Sequence, residues 1–475
     1  MGKRDKTPME GRPQGRGAAK PGRPAGKAAP GRAAGQPASA RPAGRPATGG
    51  TAKPAAPRPA QERPAAPEFP ATGAIVSRRA ADRIRAGHVW VYASDVERSP
   101  SNANSFLVPV ADSRGLLLGT ALYSPSSQIA LRLVARESLG EAQWLQVAED
   151  RLRRSIQRRL PLLRPQDTDS TRLVFSEADE LPGLVVDKYG ELIVLQLLAK
   201  GLDSATMRDL CVRTLREELS PAAIFERPDP RVRELEGLSA PATTPLWAAE
   251  NEAPLTRTAF HLNGLRFEYD ANAGQKTGAF LDQRNNYAAA REYARRSAAN
   301  GRALDVCTYQ GGFALHLAQA CAEVIGIDAS RASLEVAERN LDANRERLGA
   351  AVEWVEADAF ELLRDWSDGG QRFDAIVLDP PAFAKSKRAV EGALRGYKEL
   401  NLRVLKMVRS GGLLVTCSCS HHVGWADLEG AVASAAADAH RRVRLLERRG
   451  AAPDHPVILN LPETEYLKCL VLEVE

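Results

Sequence analysis

The chain has 475 residues, with 65 Lys and Arg against 59 Asp and Glu for a net charge of +6, which is long enough for about three folding units at the usual one to two hundred residues each. No apolar run approaches the roughly 20 residues that span a bilayer, the basic N-terminus has no apolar stretch behind it, and the six cysteines show no disulfide-framework spacing. A membrane span, a secretory leader and a disulfide scaffold are disfavoured, and the expectation is a cytoplasmic protein with reduced thiols.

Residues 1–70 are almost entirely Ala, Pro, Gly, Arg and Lys. They hold 14 of the 31 prolines and 14 basic against 4 acidic residues, a charge of +10 that leaves −4 for the remaining 405 residues. Such a stretch cannot bury enough apolar surface to offset the entropy of ordering, so a disordered tail is expected. Its spaced cations suit a sequence-independent RNA tether, because they displace counterions from phosphates, or else a solubilising tail. Over residues 74–145 the short apolar strands SFLVPVAD, LLLGTALYS and QIALRLV are punctuated by Gly115, Gly119 and Pro125, the pattern of a small β-barrel. Arg78, Arg79, Arg83 and Arg85 with Trp90 and Tyr92 suit RNA phosphates and bases. Equally, the arginines suit a solvated helix face and the aromatics a barrel core.

The spacing in EAQWLQVAEDRLRRSIQRR predicts an amphipathic basic helix stopping near Pro161. TRLVFSEADELPGLVVDKYGELIVLQLLAK predicts two or three strands with a turn at Leu181-Pro182-Gly183, and ATMRDLCVRTLREEL a helix behind them. Residues 146–255 therefore read as a small α+β middle domain. TAFHLNGLRFEYDA alternates on both sides of Asn263-Gly264, the strongest short hairpin signal in the chain. It opens residues 256–475, where the strands RALDVCT, EVIGID, VEWVEAD, FDAIVLD and GGLLVTCSC are interleaved with helices. That alternation predicts parallel βαβ units and a doubly wound, Rossmann-like α/β sheet.

Ligand chemistry in such a sheet sits at the C-terminal ends of the strands. The first strand, ending in Asp305, runs through Cys307, Thr308, Tyr309 and Gln310 to Gly311-Gly312, where the absence of side chains lets backbone approach a ligand. GxGxxG is absent, which disfavours a dehydrogenase. Asp328, ending the second strand, can accept both ribose hydroxyls of an adenosine; its competing role is a cap on the helix after Ala329-Ser330. Asp358, ending the third, can accept from the adenine amine. These acidic strand ends point to S-adenosylmethionine, with Tyr309, Gly311 and Gly312 on the cofactor turn. The fourth strand ends in Asp379-Pro380-Pro381-Ala382-Phe383 and the fifth in Cys417-Ser418-Cys419-Ser420-His421-His422. A carboxylate on a rigid turn, an aromatic for stacking and a thiol suit a flat heterocycle, whereas the crowded thiols and imidazoles lack metal-ligand spacing, so no metal is expected.

With the barrel, LPGLVVDKYG, the hairpin, GQKTGAFLDQR, YQGGFA, DPPAF, RGYKELN, SCS and DHPVILNLPETEYLK, residues 74–475 resemble the class I S-adenosylmethionine-dependent ribosomal RNA large subunit methyltransferases of the methyltransferase I type, which make 5-methylcytosine. The barrel resembles a PUA domain, an RNA-binding module. The first-motif glycines are the shifted pair Gly311-Gly312 instead of GxG, a shift this family shares. The resemblance implies S-adenosylmethionine as cofactor, large-subunit ribosomal RNA or an assembling subunit as partner, no membrane, and an oligomeric state open between monomer and dimer. It implies Cys419 as the nucleophile, with Cys417 an alternate or a bystander, and Asp379 bonded to the base. Pro380 and Pro381 would hold the loop extended and Phe383 stack on the base. Gln283 and Lys276 would reach the methionine carboxylate or the target phosphate, while a pairing of Asp282 with Arg284 would serve only to fix the hairpin. Two other functions fit parts of the pattern. A DPP turn with an aromatic also serves methylation at a base nitrogen, as in the related guanine-N7 enzymes, without a thiol. A non-catalytic RNA-binding ribosome-assembly factor would keep the fold as scaffold, against which the retention of Asp328, Asp379 and Cys419 argues.

Overall fold

Apolar runs separated by amphipathic helices build one large sheet from the C-terminal part of the chain. The computed structural model describes residues 69–101, 106–227, 229–239, 244–249, 255–272, 278–384 and 386–475, so the basic tail up to residue 68, Gln275 and Lys276 lie outside the described residues. The strands of the large sheet are β1 (Arg302–Val306), β2 (Glu323–Asp328), β3 (Ala351–Glu356), β4 (Phe373–Leu378), β5 (Val408–Ser418), β6 (Val443–Arg449) and β7 (Lys468–Val474), in the order β3-β2-β1-β4-β5-β7-β6. The first five pair in parallel, and β7 inserts antiparallel between β5 and β6. Parallel strands covered on both faces need continuous apolar sequence. Accordingly Ala303, Val377 and Val415 face one core with helix Arg284–Ser297, while Leu304, Ile376 and Leu414 face another under helices Val390–Met407 and Trp425–Asp438. This is the expected doubly wound α/β sheet. Its strand order reverses between β1 and β4, the position at which such sheets open a ligand crevice.

The preceding residues form smaller sheets. A six-stranded barrel-like sheet between Ala74 and Ala135 packs Val76, Val91, Val110 and Leu131 against Ile84 of helix Arg78–Arg85. Its arginines divide: Arg83 and Arg85 pair with Asp95 and Asp112, both at 2.6 Å, while Arg78 and Arg79 are exposed. Trp90 is half-buried and donates its indole N–H to Glu177 at 2.9 Å, and Tyr92 lies beneath the Arg83 guanidinium. A five-stranded sheet follows, with strands Thr171–Phe175, Leu184–Tyr189, Leu192–Leu197, Ala223–Glu226 and Trp247–Ala248, backed by helices Glu141–Arg159 and Ala205–Leu219.

The hairpin of Arg257–Leu262 and Leu265–Asp270 turns at Asn263 and Gly264 with φ of 52° and 82°, the paired positive values that a two-residue type I′ turn demands. It joins the sheets through a shared core. Tyr189 stacks on Tyr269 at 4.2 Å, and Phe260 and Phe267 continue that core toward Tyr287 and Phe313. A buried polar junction adds to it. Asp454 accepts from Thr171 Oγ1 at 2.8 Å, Arg172 N at 2.9 Å and the Arg284 guanidinium at 2.8 Å. Arg284 therefore pairs with Asp454 and not with Asp282, which instead accepts from the Tyr466 hydroxyl. The sequence could not rank Asp454 over the acid two residues away, because the ion pair closes across 170 residues.

Candidate active site

Two loops leave the C-terminal edge where the strand order reverses. The loop after β1 is tightly wound: φ is 63° at Cys307, 53° at Tyr309 and 85° at Gly311. A non-glycine residue in that region costs about 1–3 kcal/mol and persists only when its surroundings hold it there. Asp328 supplies that hold. Its Oδ2 accepts from Tyr309 N and its Oδ1 from Ser330 N, both at 2.9 Å, while the Tyr309 hydroxyl donates to Gly278 O at 3.0 Å. Helix Arg331–Asp342 is capped by Ser330, so the capping role belongs there and not to Asp328. Each Asp328 oxygen keeps lone-pair capacity for a further donor.

The other strand-end acids differ. Asp358 is exposed and caps helix Ala359–Asp368, accepting from Phe360 N at 2.9 Å and Glu361 N at 3.1 Å through one oxygen. Asp305 is buried; its Oδ2 accepts from Thr308 Oγ1 at 2.5 Å and Ala314 N at 2.9 Å, and its Oδ1 has no partner among the described residues. Burial pushes this carboxyl up to about 7 against those hydrogen bonds. An orphaned acid oxygen under the turn fits a ligand that carries positive charge. The glycines answer to packing as well as to any ligand: a Cβ at Gly312 would lie 2.5 Å from the Tyr287 ring, and one at Gly311 3.0 Å from Trp354. A cleft bounded by Phe260, Phe280, Tyr287, Tyr309, Phe313 and Asp379 opens beside this turn.

The loop after β4 starts at Asp379, whose backbone N–H donates to Val306 O at 3.2 Å and whose Oδ2 accepts from Gln283 Nε2 at 2.9 Å. Gln283 is buried, and its Oε1 accepts from Asn286 at 2.7 Å. The amide expected at the cofactor thus also ties Asp379 to Asn286. Pro380 is buried and Pro381 exposed; Phe383 lies against Phe360 and Tyr397 with centroids 5.9 and 4.9 Å away.

A chain of hydroxyls fastens this loop to the end of β5. Ser418 Oγ donates to the Tyr397 hydroxyl at 2.9 Å, that hydroxyl is 3.0 Å from Ser420 Oγ, and Ser420 Oγ accepts from Ala384 N at 3.2 Å. The result is that the half-buried Cys419 thiol lies 4.0 Å from the Pro380 carbonyl oxygen. Cys417 lies in the core opposite Cys469 of β7, where burial, then Cys469 and Asp379, push its thiol far up. His421 is exposed and packs on the Tyr466 ring at 5.5 Å. Tyr397, Asn286 and Lys468, which the sequence did not single out, all bear on this junction. Tyr397 and Lys468 had a signal, as the aromatic of RGYKELN and the last residue of DHPVILNLPETEYLK.

The family model for S-adenosylmethionine-dependent methyltransferases matches residues 184–468, beginning inside the five-stranded sheet, and a PUA-like domain model matches residues 74–136. A Streptococcus mutans structure classed with the SAM-dependent methyltransferases has the same fold, with a TM-score of 0.70 at 19% identity over 84% of this chain and 98% of that one. A methyltransferase structure complexed with SAH matches equally well. Fold and site together define an S-adenosylmethionine-dependent methyltransferase with an N-terminal PUA-like domain. The chain is 35% identical over 383 residues to ribosomal RNA large subunit methyltransferase I of Shigella boydii and 37% identical to that of Cronobacter sakazakii, in each case covering 80% of this chain and 94% of the relative. It belongs to this ribosomal RNA large subunit methyltransferase I family. Its cofactor is S-adenosylmethionine, and among the described residues no helix is long and apolar enough to cross a membrane.

Proposed function

We propose that this protein methylates carbon 5 of a cytosine in large-subunit ribosomal RNA through a covalent adduct with Cys419. The observation that carries the reading is the half-buried Cys419 thiol packed on the loop that Asp379 heads, with Pro380 O at 4.0 Å. The relatives' name supports ribosomal RNA as substrate, and the PUA-like domain, with Arg78 and Arg79 exposed, supports RNA contact there.

S-adenosylmethionine supplies an electrophilic methyl group. The residues that would hold it are Asp328 toward the ribose, Asp358 toward the adenine amine through its uncommitted oxygen, and Tyr309, Gly311 and Gly312 on the turn above Asp305. Carbon 5 of cytosine is too weak a nucleophile to take a methyl group unaided. Addition of the Cys419 thiolate to carbon 6 makes carbon 5 enamine-like; once carbon 5 carries the methyl, a base removes its proton and the thiolate is eliminated. Asp379, aimed by Gln283, hydrogen-bonds the ring nitrogen or amino group and stabilises the charge that develops on addition. Pro380 and Pro381 hold the loop extended, and Phe383, backed by Phe360 and Tyr397, stacks on the base after it leaves its helix.

Mapping of modified nucleotides in RNA from cells with and without the gene tests this reading. The expected result is loss of 5-methylcytosine at large-subunit RNA positions. Loss of a methyl group from a base nitrogen would reassign the DPP turn. No lost methyl group, with no binding of labelled S-adenosylmethionine, would leave a ribosome-assembly factor.

A further inference from the structure

Lys468 opens β7 directly across from Ser418 and is only 2% exposed. A buried lysine ordinarily has a carboxylate partner, because an ammonium taken out of water is costly. Among the described residues this one makes no ion pair. Its Nζ donates to the carbonyls of Ser420 at 2.8 Å and Tyr466 at 2.7 Å, which uses two of its three N–H groups. Those carbonyls flank the strand end that carries Cys419. Of the charges acting on the ammonium, that of Cys419 is the strongest, ahead of Glu465 and Asp427. From the facing helix and loop, the Tyr397 hydroxyl feels both Cys419 and Asp379, and His421 lies on the solvent side against Tyr466.

We propose that Lys468 is a positioning residue that holds Cys419 as a thiolate: the S–H proton leaves to solvent, and the buried ammonium serves as the counter-ion of the sulfur. The proposal deepens, and rests on, the reading of Cys419 as nucleophile. Burial draws the Lys468 ammonium down to about 8 while the Cys419 charge opposes that fall, so each charge favours the other.

The test is the pH dependence of iodoacetamide alkylation at Cys419 in the full-length protein, read by peptide mass spectrometry so that the other five cysteines are resolved. The wild-type midpoint should lie below the ordinary thiol value of about 8.5. Lys468→Met should raise it by a unit or more, slowing alkylation at pH 7 roughly tenfold, and Lys468→Arg should largely restore it. Melting temperature and S-adenosylmethionine binding serve to verify folding, since a merely structural lysine would not move the midpoint. An unchanged midpoint in folded Lys468→Met overturns the proposal, as does a wild-type midpoint at or above 8.5 should that variant fail to fold. If the midpoint follows Lys468 but RNA carrying 5-fluorocytosine forms no adduct, the lysine–thiolate pair stands and the cytosine chemistry falls.

Discussion

Each Asp328 oxygen carries one backbone amide of a turn that would otherwise unwind, and each retains room for another donor. Asp328→Ala should therefore weaken S-adenosylmethionine binding by about 1–3 kcal/mol; unchanged affinity by calorimetry would remove Asp328 from the site. Asp305 gives a pH signature. Its folded-state value of about 7 lies above the ordinary carboxyl value near 3.9, so between those limits the folded protein keeps a proton that the unfolded chain has released. Its contribution to stability is then greatest below about pH 4 and falls as pH rises from there to about 7. Without cofactor, Asp305→Asn should lose less melting temperature than wild type between pH 5 and pH 8, and equal losses would refute the buried charge. At this scale the acids were legible because each lies within two residues of the C-terminal end of a strand. Their separate duties were not, since Asp358 caps a helix through Phe360 and Glu361 while Asp305 meets Ala314 nine residues on.

The cofactor turn and the helix after it are fixed by what packs against them. Gly312→Ala would put a Cβ 2.5 Å from the Tyr287 ring, an overpacking that should cost about 1–3 kcal/mol in thermal melts. A melting temperature equal to wild type would mean that Tyr287 moves freely. The alternation of strands and helices made the large sheet readable, and Asn263-Gly264 made the hairpin readable, because each rests on local sequence. The Ser418–Tyr397–Ser420 chain was not readable: it depends on how helix Val390–Met407 is rotated over β5, a property of the packed core. The bond from Gln283 to Asp379 was not readable either, for the same reason. The neighbours of Gln283 in sequence suggested a ligand contact, and the fold also brings Asp379 to it from 96 residues away.

For the whole molecule, Asp454 binds the five-stranded sheet, helix Arg284–Ser297 and the C-terminal loop into one unit. Burial alone would raise its carboxyl, but His455 and Arg284 hold it far below the usual range, so its contribution is present above about pH 4 and is lost as pH falls below that. Asp454→Asn should destabilise the protein by about 3–5 kcal/mol at neutral pH, as expected when one partner of a buried pair is removed, and a loss under 1 kcal/mol in denaturant titrations would show that the sheets are held by the apolar core instead. If the tail is an RNA tether, it acts through charge. Removing residues 1–68 should leave melting temperature and cofactor affinity intact while lowering RNA affinity and flattening its dependence on salt; identical salt slopes would exclude a tether.

The proposed chemistry requires that Cys419 form a covalent bond to the target base. It is tested most directly by incubating the enzyme and S-adenosylmethionine with large-subunit RNA containing 5-fluorocytosine, in which fluorine replaces the proton that must leave, and reading the denatured products by gel and mass spectrometry. Wild type and Cys417→Ser should accumulate a methylated protein–RNA adduct linked through the Cys419 peptide, and Cys419→Ala should form none. An adduct-free wild type that methylates the unmodified RNA, or a Cys419→Ala enzyme that methylates it at an undiminished rate, would contradict the thiol mechanism.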